Sequence, residues 1–295
     1  MDIRDKSLGS RLFDIINIFV LSILGLSCIL PFVNLLALSL SSSAAATANI
    51  VTFWPVGFQL ECYALVFKSG AFINAFGVSV LRVLAGTTLN LLFITLTAYP
   101  LSKEATELKG RNVIMWFYVV PMMFSGGLIP FFLVVQQLKL VDSFWVLVIP
   151  GAVPLFSVIM MMNYFRGINK NIYESAMIDG AGQLRILAQI YLPLSLPSLA
   201  TLALFAMVGH WNEWFSGLIF LNDMNKWPLQ TYLRQQLVSI DTKNLRADDI
   251  DLLLKLSNRS LKAAQLFVAT VPILCVYPFL QKYFVTGITL GSVKE

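Results

Sequence analysis

Glu174-Ser175-Ala176-Met177-Ile178-Asp179-Gly180, followed by Ile190-Tyr191-Leu192-Pro193, is a polar island between long apolar runs. Its pattern is E-x-A-x3-G-x9-I-x-L-P. Residues Ile172 to Asp179 can form a short helix. Asp179-Gly180 and Ala181-Gly182 offer left-handed positions that end it. A second short helix fits Gln183 to Tyr191, and Pro193 is expected to stop it. Ala176 and Gly180 are small enough to let another backbone approach. Glu174, near the start of the first helix, suits the positive end of the helix dipole. Six specified positions at fixed spacing arise by chance less than about once in 10^5 at average residue usage. The segment therefore reads as a stiff knob for a partner to push on, rather than as an ordinary helical turn.

The rest of the chain says what that knob is attached to. Of its 295 residues, 57% are hydrophobic and only 13% charged. Mean hydropathy is +0.75. Soluble domains carry about 25% charged residues, so this composition describes a polytopic membrane protein. The net charge of +5 fits cytoplasmic loops that set orientation and does not point to nucleic acid. Cys28, Cys62 and Cys275 lie far apart without metal-ligand spacing, so no disulfide and no metal site is expected. The apolar run after Arg4, Lys6 and Arg11 is too long for a signal-peptide core. Ala44-Ala45-Ala46 lies too far from that charged start to be its cleavage site.

A spanning helix needs roughly 20 mainly apolar residues. Six windows qualify, at about residues 13–40, 74–99, 112–138, 144–165, 196–221 and 263–284. An even count puts both termini on one side. Arg4, Lys6 and Arg11, then Lys103, Lys109 and Arg111, then Arg166, Lys170 and Arg185 all fall on that side. The two short connections opposite carry only Lys68 and Lys139. By the positive-inside rule both termini and the 166–195 loop are cytoplasmic, and residues 222–262 form an external loop. Leu245 to Ser260 suits a short surface helix with Asp248, Asp249 and Asp251 near its start. Pro121, Gly126, Gly127 and Pro130 interrupt the third window, and Pro150, Gly151 and Pro154 the fourth. Such breaks free backbone groups that need protein or water partners, which suggests helices packed around a cavity.

The polar motif and the span count together resemble the carbohydrate-type ABC importer permeases. The likeness is to the second permease of the pair, as in the maltose system, in the branch for complex and uronate-containing oligosaccharides. It extends to Trp211-Asn212-Glu213-Trp214-Phe215 and to the ending from Phe284 to Glu295. It implies an all-α, type I importer permease fold with six transmembrane helices in one domain, placed in a bacterial cytoplasmic (inner) membrane. In that family the motif is the "EAA loop", which couples to an ATPase. Glu174, Ser175, Ala176, Asp179, Gly180, Ala181, Gly182, Ile190, Leu192 and Pro193 carry it here. Ser175 stands where the family has Ala, a small change with little expected effect. The resemblance further implies a second, non-identical permease, two ATPase subunits, an extracytoplasmic solute-binding protein and an oligosaccharide substrate. Gly287 and Gly291 are expected to make the tail, residues 285–295 with Lys294 near its end, flexible, and the resemblance implies that it reaches between the ATPases. ATP and magnesium belong to those partners, because this chain has no G-x-x-x-x-G-K-[ST] segment.

A third group lies along the fifth window: His210, Trp211, Asn212, Glu213 and Trp214. His210 and Glu213 are three apart, as are Trp211 and Trp214, so each pair is expected to share a helix face. Ionisable groups inside a span usually face a cavity or a partner. Aromatic faces with Asn or Glu suit sugar recognition, and an interfacial aromatic belt suits them too. Arg82, inside the second window, could snorkel, pair with Glu213 or with an acid of the partner permease, or attract an acidic substrate. No nucleophile or acid-base pair is evident, so no catalysis is expected. The alternatives are an ABC permease for peptides or lipids and a proton-coupled secondary transporter. The second would need inverted repeats, which are not seen, and would leave the loop without a task.

Overall fold

The computed structural model describes residues 8–124, 126–238 and 259–292. Every regular element among them is a helix. Two compact units partition the chain, residues 1–70 with 236–271 and residues 71–235 with 272–295.

The first unit begins with α1 (Leu8–Ser39), whose apolar residues from Leu12 to Phe32 are exposed on all sides. A helix apolar all round suits lipid or a partner helix, not water. Two short helices follow, α2 (Ser43–Thr47) and α3 (Glu61–Lys68). Polar side chains tie the chain back on itself there. Ser41 Oγ donates to the Ala37 carbonyl and accepts from the Val56 amide, and Ser39 Oγ meets the Tyr63 hydroxyl at 2.7 Å.

The second unit is organised by α4 (Gly70–Ser102). Its buried residues recur at helical spacing: Phe72, Ala75, Ser79, Arg82, Gly86, Asn90, Ile94, Ala98 and Leu101. The middle of that stripe is polar. The exposed side carries Ile73, Val80, Leu81, Leu84, Leu92, Phe93 and Leu96. This is the soluble pattern turned inside out, as a bilayer requires.

The third window is not one helix. It is α5 (Arg111–Met123) and α6 (Leu128–Gln137), parted at Gly127, whose φ is +81°. Pro121 stays inside α5, so glycine rather than that proline makes the break. The fourth window opens with 3-10 turns at Phe144–Leu147 and Ile149–Gly151 and continues, after a 45° bend, as α7 (Leu155–Arg166). Pro150 and Pro154 lie at that bend. The polar loop gives α8 (Lys170–Ile178) and α9 (Gln183–Leu194), and the chain then turns 83° into α10 (Leu196–Asn212). The fifth window also breaks, at Glu213 and Trp214, before α11 (Phe215–Phe220).

Within 222–262 the described part holds a 3-10 turn at Met224–Lys226 and α12 (Leu229–Val238). The surface helix expected over Leu245 to Ser260 falls mostly outside the described residues. Last comes α13 (Arg259–Ser292). It is longer than the 263–284 window, and it corrects the expected flexible tail: Gly287 and Gly291 lie within helix, while Lys294 is outside the described residues. Among the described residues, three helices are long and apolar enough to cross a membrane, or up to five if each bent pair is one span.

Candidate functional site

The polar loop is built from its two ends. Asn169 caps α8, its side chain accepting from the Asn171 amide at 3.0 Å. At the other end the Gly180 amide donates to Met177 and the Ala181 amide to Ala176. That bond pair is a Schellman closure, and it needs Gly180 at its φ of +76°. Asp179 is the C-cap, and Gly182 leads into α9. Ser175 Oγ donates to the Asn171 carbonyl one turn back, so the hydroxyl is used within the helix.

Ala176 corrects one expectation. It is buried in this chain's own core with Tyr191, Ile186 and Phe165, so its small size serves internal packing. Glu174, Asp179 and Gly180 are exposed. So are large apolar residues beside them: Ile178 is 86% exposed and Leu184 75%. A second correction concerns Pro193. It does not stop α9, which runs on to Leu194. Residues Leu187–Tyr191 widen into a π turn, with the Leu192 amide donating to Leu187. The wider turn makes room for the proline ring, which would otherwise press on a carbonyl one turn back. Ile190 and Leu192 pack against the same core as Ala176.

Sequence reading missed what holds this loop to α4. Lys103 follows α4 directly, and its ammonium sits 3.2 Å from the ring centre of Tyr173, 4.6 Å from Tyr99 and 4.9 Å from Tyr191. Tyr99 donates to Gln183 Oε1 at 2.7 Å, and Gln183 Nε2 donates to the Tyr173 hydroxyl at 3.0 Å. Tyr99 and Tyr191 meet edge to face at 5.0 Å. Burial lowers the Lys103 pKa to about 8, opposed by Glu107. Beside the cage Lys170 pairs with Glu104. The signal available in sequence was one lysine ending a span and tyrosines placed in three segments.

The second region lies midway along α4. Arg82 is only 3% exposed, so it does not snorkel. Its Nη1 donates to the Glu213 carbonyl at 2.9 Å and its Nη2 to Glu213 Oε2 at 2.5 Å. Glu213 Oε1 accepts from the Ser216 amide at the start of α11. Thr231 Oγ1 donates to the Trp214 carbonyl at 2.7 Å. Those bonds explain a break that no glycine or proline announces.

The break also undoes the expected face sharing. His210 pairs with Asn90, not with Glu213, through a 2.9 Å bond from Nε2 to Oδ1. Asn90 Nδ2 donates to the carbonyls of Gly151 and Ala152 in the bent fourth span. Its oxygen must therefore face the ring, and His210 Nε2 carries the proton. Trp211 is buried edge-on to Phe76 at 5.7 Å, whereas the Trp214 ring lies under Arg234 at 4.7 Å. Asn212 is exposed.

Comparison with known proteins places these features. A family model described as "Binding-protein-dependent transport system inner membrane component" matches residues 106–290. The chain is 40% identical over 286 residues to Protein LplC of Bacillus subtilis (strain 168), covering 97% of this chain and 96% of that protein. It is 38% identical over 287 residues to the polygalacturonan/rhamnogalacturonan transport system permease protein YtcP of the same organism, with 97% and 99% covered. A solved chain of a bacterial ABC transporter involved in the import of the acidic polysaccharide alginate matches with a TM-score of 0.87 at 33% identity. That match covers 95% of this chain and 99% of the other.

Proposed function

Because the chain belongs to the family of inner membrane components of binding-protein-dependent transport systems, we propose that it is one of two non-identical permeases of an ATP-driven importer for uronate-containing oligosaccharides. The observation that carries the reading is the knob itself. α8 is closed by a Schellman turn at Gly180, and the turn leaves Ile178 of α8 and Leu184 of α9 exposed beside polar residues. Bulky apolar groups exposed outside a spanning segment call for a protein partner. An ATPase subunit seated on α8 fills that need, and the EAA-loop resemblance supports it.

The cargo class is supported by two relatives, one of a polygalacturonan/rhamnogalacturonan transport system and one involved in the import of alginate. All of these are acidic polysaccharides. The chain itself carries no catalysis. Two ATPase subunits hold ATP and magnesium, and an extracytoplasmic binding protein delivers the sugar. Both termini lie in the cytoplasm of a bacterial inner membrane, with the C-terminal end of α13 directed at the ATPases. Asn212, Glu213 and Trp214, at the break of the fifth span, are the residues proposed to line the sugar path. Trp211 serves that path from behind, by packing.

The test is reconstitution of the chain with its partner permease, ATPase pair and binding protein. Oligogalacturonate or oligoalginate should stimulate ATP hydrolysis, and neutral maltodextrins should not. Stimulation by peptides, or uptake driven by a proton gradient without ATP, would refute it.

A further inference from the structure

Lys103 is surrounded by one tyrosine from each of three elements: Tyr99 of α4, Tyr173 of α8 and Tyr191 of α9. Among the described residues it makes no ion pair. Its Nζ donates to the Tyr191 hydroxyl at 3.5 Å and Glu107 acts on it as an opposite charge; the negative end of α4 and the ring faces of Tyr99 and Tyr173 add to what holds its charge. Gln183 closes the ring of contacts by bonding both Tyr99 and Tyr173. Through Gln183 this network joins Tyr173 of α8 to Tyr99 of the spanning helix α4. α8 is otherwise fixed by Ala176 in the core and by the exposed Lys170–Glu104 pair, and exposed pairs hold weakly.

The same helix α4 carries Arg82, about 32 Å further along at 1.5 Å per residue. Arg82 grips Glu213 where the fifth span breaks. One continuous helix, with Pro100 in its last turn, therefore runs from the loop that meets the ATPase to the break beside the proposed sugar path.

We propose that the Lys103 cage is the joint through which movement of α8 reaches α4, and hence the Arg82–Glu213 contact at the break. Lys103 acts as a positioning residue: it touches neither nucleotide nor sugar. The proposal rests on reading α8 as the ATPase-docking helix. It adds that the pull is transmitted by a cation held between ring faces and not by backbone continuity alone.

The experiment uses the reconstituted transporter with K103M, K103R, Y173F, Y173L and the K103M/Y173L pair. Each is measured for assembly with the ATPase, for sugar-stimulated ATP hydrolysis, and for sugar moved per ATP. K103M and Y173L should assemble normally yet move about tenfold less sugar per ATP, the loss expected from a half-buried cation–ring contact worth between the exposed and desolvated limits. K103R and Y173F, which keep cation and ring, should retain most transport. The double variant should be no worse than either single change. Failure of K103M to assemble would overturn the proposal, since the joint is not needed for docking. So would normal transport per ATP in K103M, no recovery with arginine, or additive losses in the pair. A native complex that shows no sugar-stimulated hydrolysis would sink the functional reading instead, and is separated from these outcomes by that control.

Discussion

Arg82 holds Glu213 twice, by its backbone carbonyl at 2.9 Å and by its carboxylate at 2.5 Å, from the middle of a different spanning helix. A helix that reaches Asn212 would normally continue through Glu213. Here the carbonyl that would accept from a later amide is taken by a guanidinium, and the carboxylate caps the next helix at Ser216. The pair both ends one helix and starts another.

That arrangement predicts strong non-additivity. Arg82→Met strands a carboxylate that is two-thirds covered, and removing one member of a buried pair costs about 3 to 5 kcal/mol. Thermal unfolding of the detergent-solubilised complex should show a clear drop. Adding Glu213→Gln to Arg82→Met should recover part of it, because the uncompensated charge is gone. A double variant no more stable than Arg82→Met would show that the two residues do not act as a pair.

Gly86 is predicted to be intolerant too, though less than Arg82, and for a steric reason. A Cβ built there would lie 2.4 Å from His210 Nε2, the atom that bonds Asn90. Gly86→Ala must push the ring off Asn90, with an overpacking cost of about 1 to 3 kcal/mol. His210→Ala combined with Gly86→Ala removes the clash and should unfold at a higher temperature than Gly86→Ala alone. If the second change brings no recovery, the ring is not what occupies that space.

These two contacts also show where the sequence could be read and where it could not. The E-x-A-x3-G loop was legible because its chemistry is local. A cap, a short helix and a glycine in the left-handed region all lie within a dozen residues, and the family likeness rested on them. The break after Asn212 was not legible, because it is made by Arg82 and Thr231, which lie far away in sequence. The π turn before Pro193 was missed for a related reason. A proline usually ends a helix, but here the widened turn accommodates its ring while Leu187 and Tyr191 pack into the core. The glycine break at Gly127 was foreseen as an interruption, but not as the separation of the third window into two short helices. The tyrosine cage needed three segments to be brought together, which spacing alone does not encode.

Gly180 gives a graded prediction. A side chain there meets no neighbouring atom, yet φ is +76°. The penalty is one of backbone conformation, about 1 to 2 kcal/mol for an ordinary residue in this region. Gly180→Asn should cost least, Gly180→Ala more, and Gly180→Val most, since β-branching makes that conformation worst. Sugar moved per ATP should fall in that order while membrane insertion stays normal. If Val is tolerated as well as Asn, the Schellman closure is not what shapes the knob.

Lys103 supplies the pH prediction. Its surroundings are Tyr99 on α4, Tyr173 on α8, Tyr191 on α9, and Glu107 in the following turn. Glu104, Lys170, Arg111 and Arg166 line the same 460 Å³ cavity. Burial lowers its pKa from 10.5 to about 8. Between those values the unfolded chain binds a proton that the folded chain has released, so this group's contribution to stability rises with pH across that window and falls as pH drops toward 8. Transmission should move the other way, because the neutral amine loses its attraction for the rings. Between pH 7.5 and 9.5 the native complex should therefore melt at a relatively higher temperature than K103M while its sugar moved per ATP declines toward the K103M level. Parallel pH profiles for native and K103M complexes, in melting and in transport alike, would mean that Lys103 does not titrate in this window or that its charge does not serve the joint.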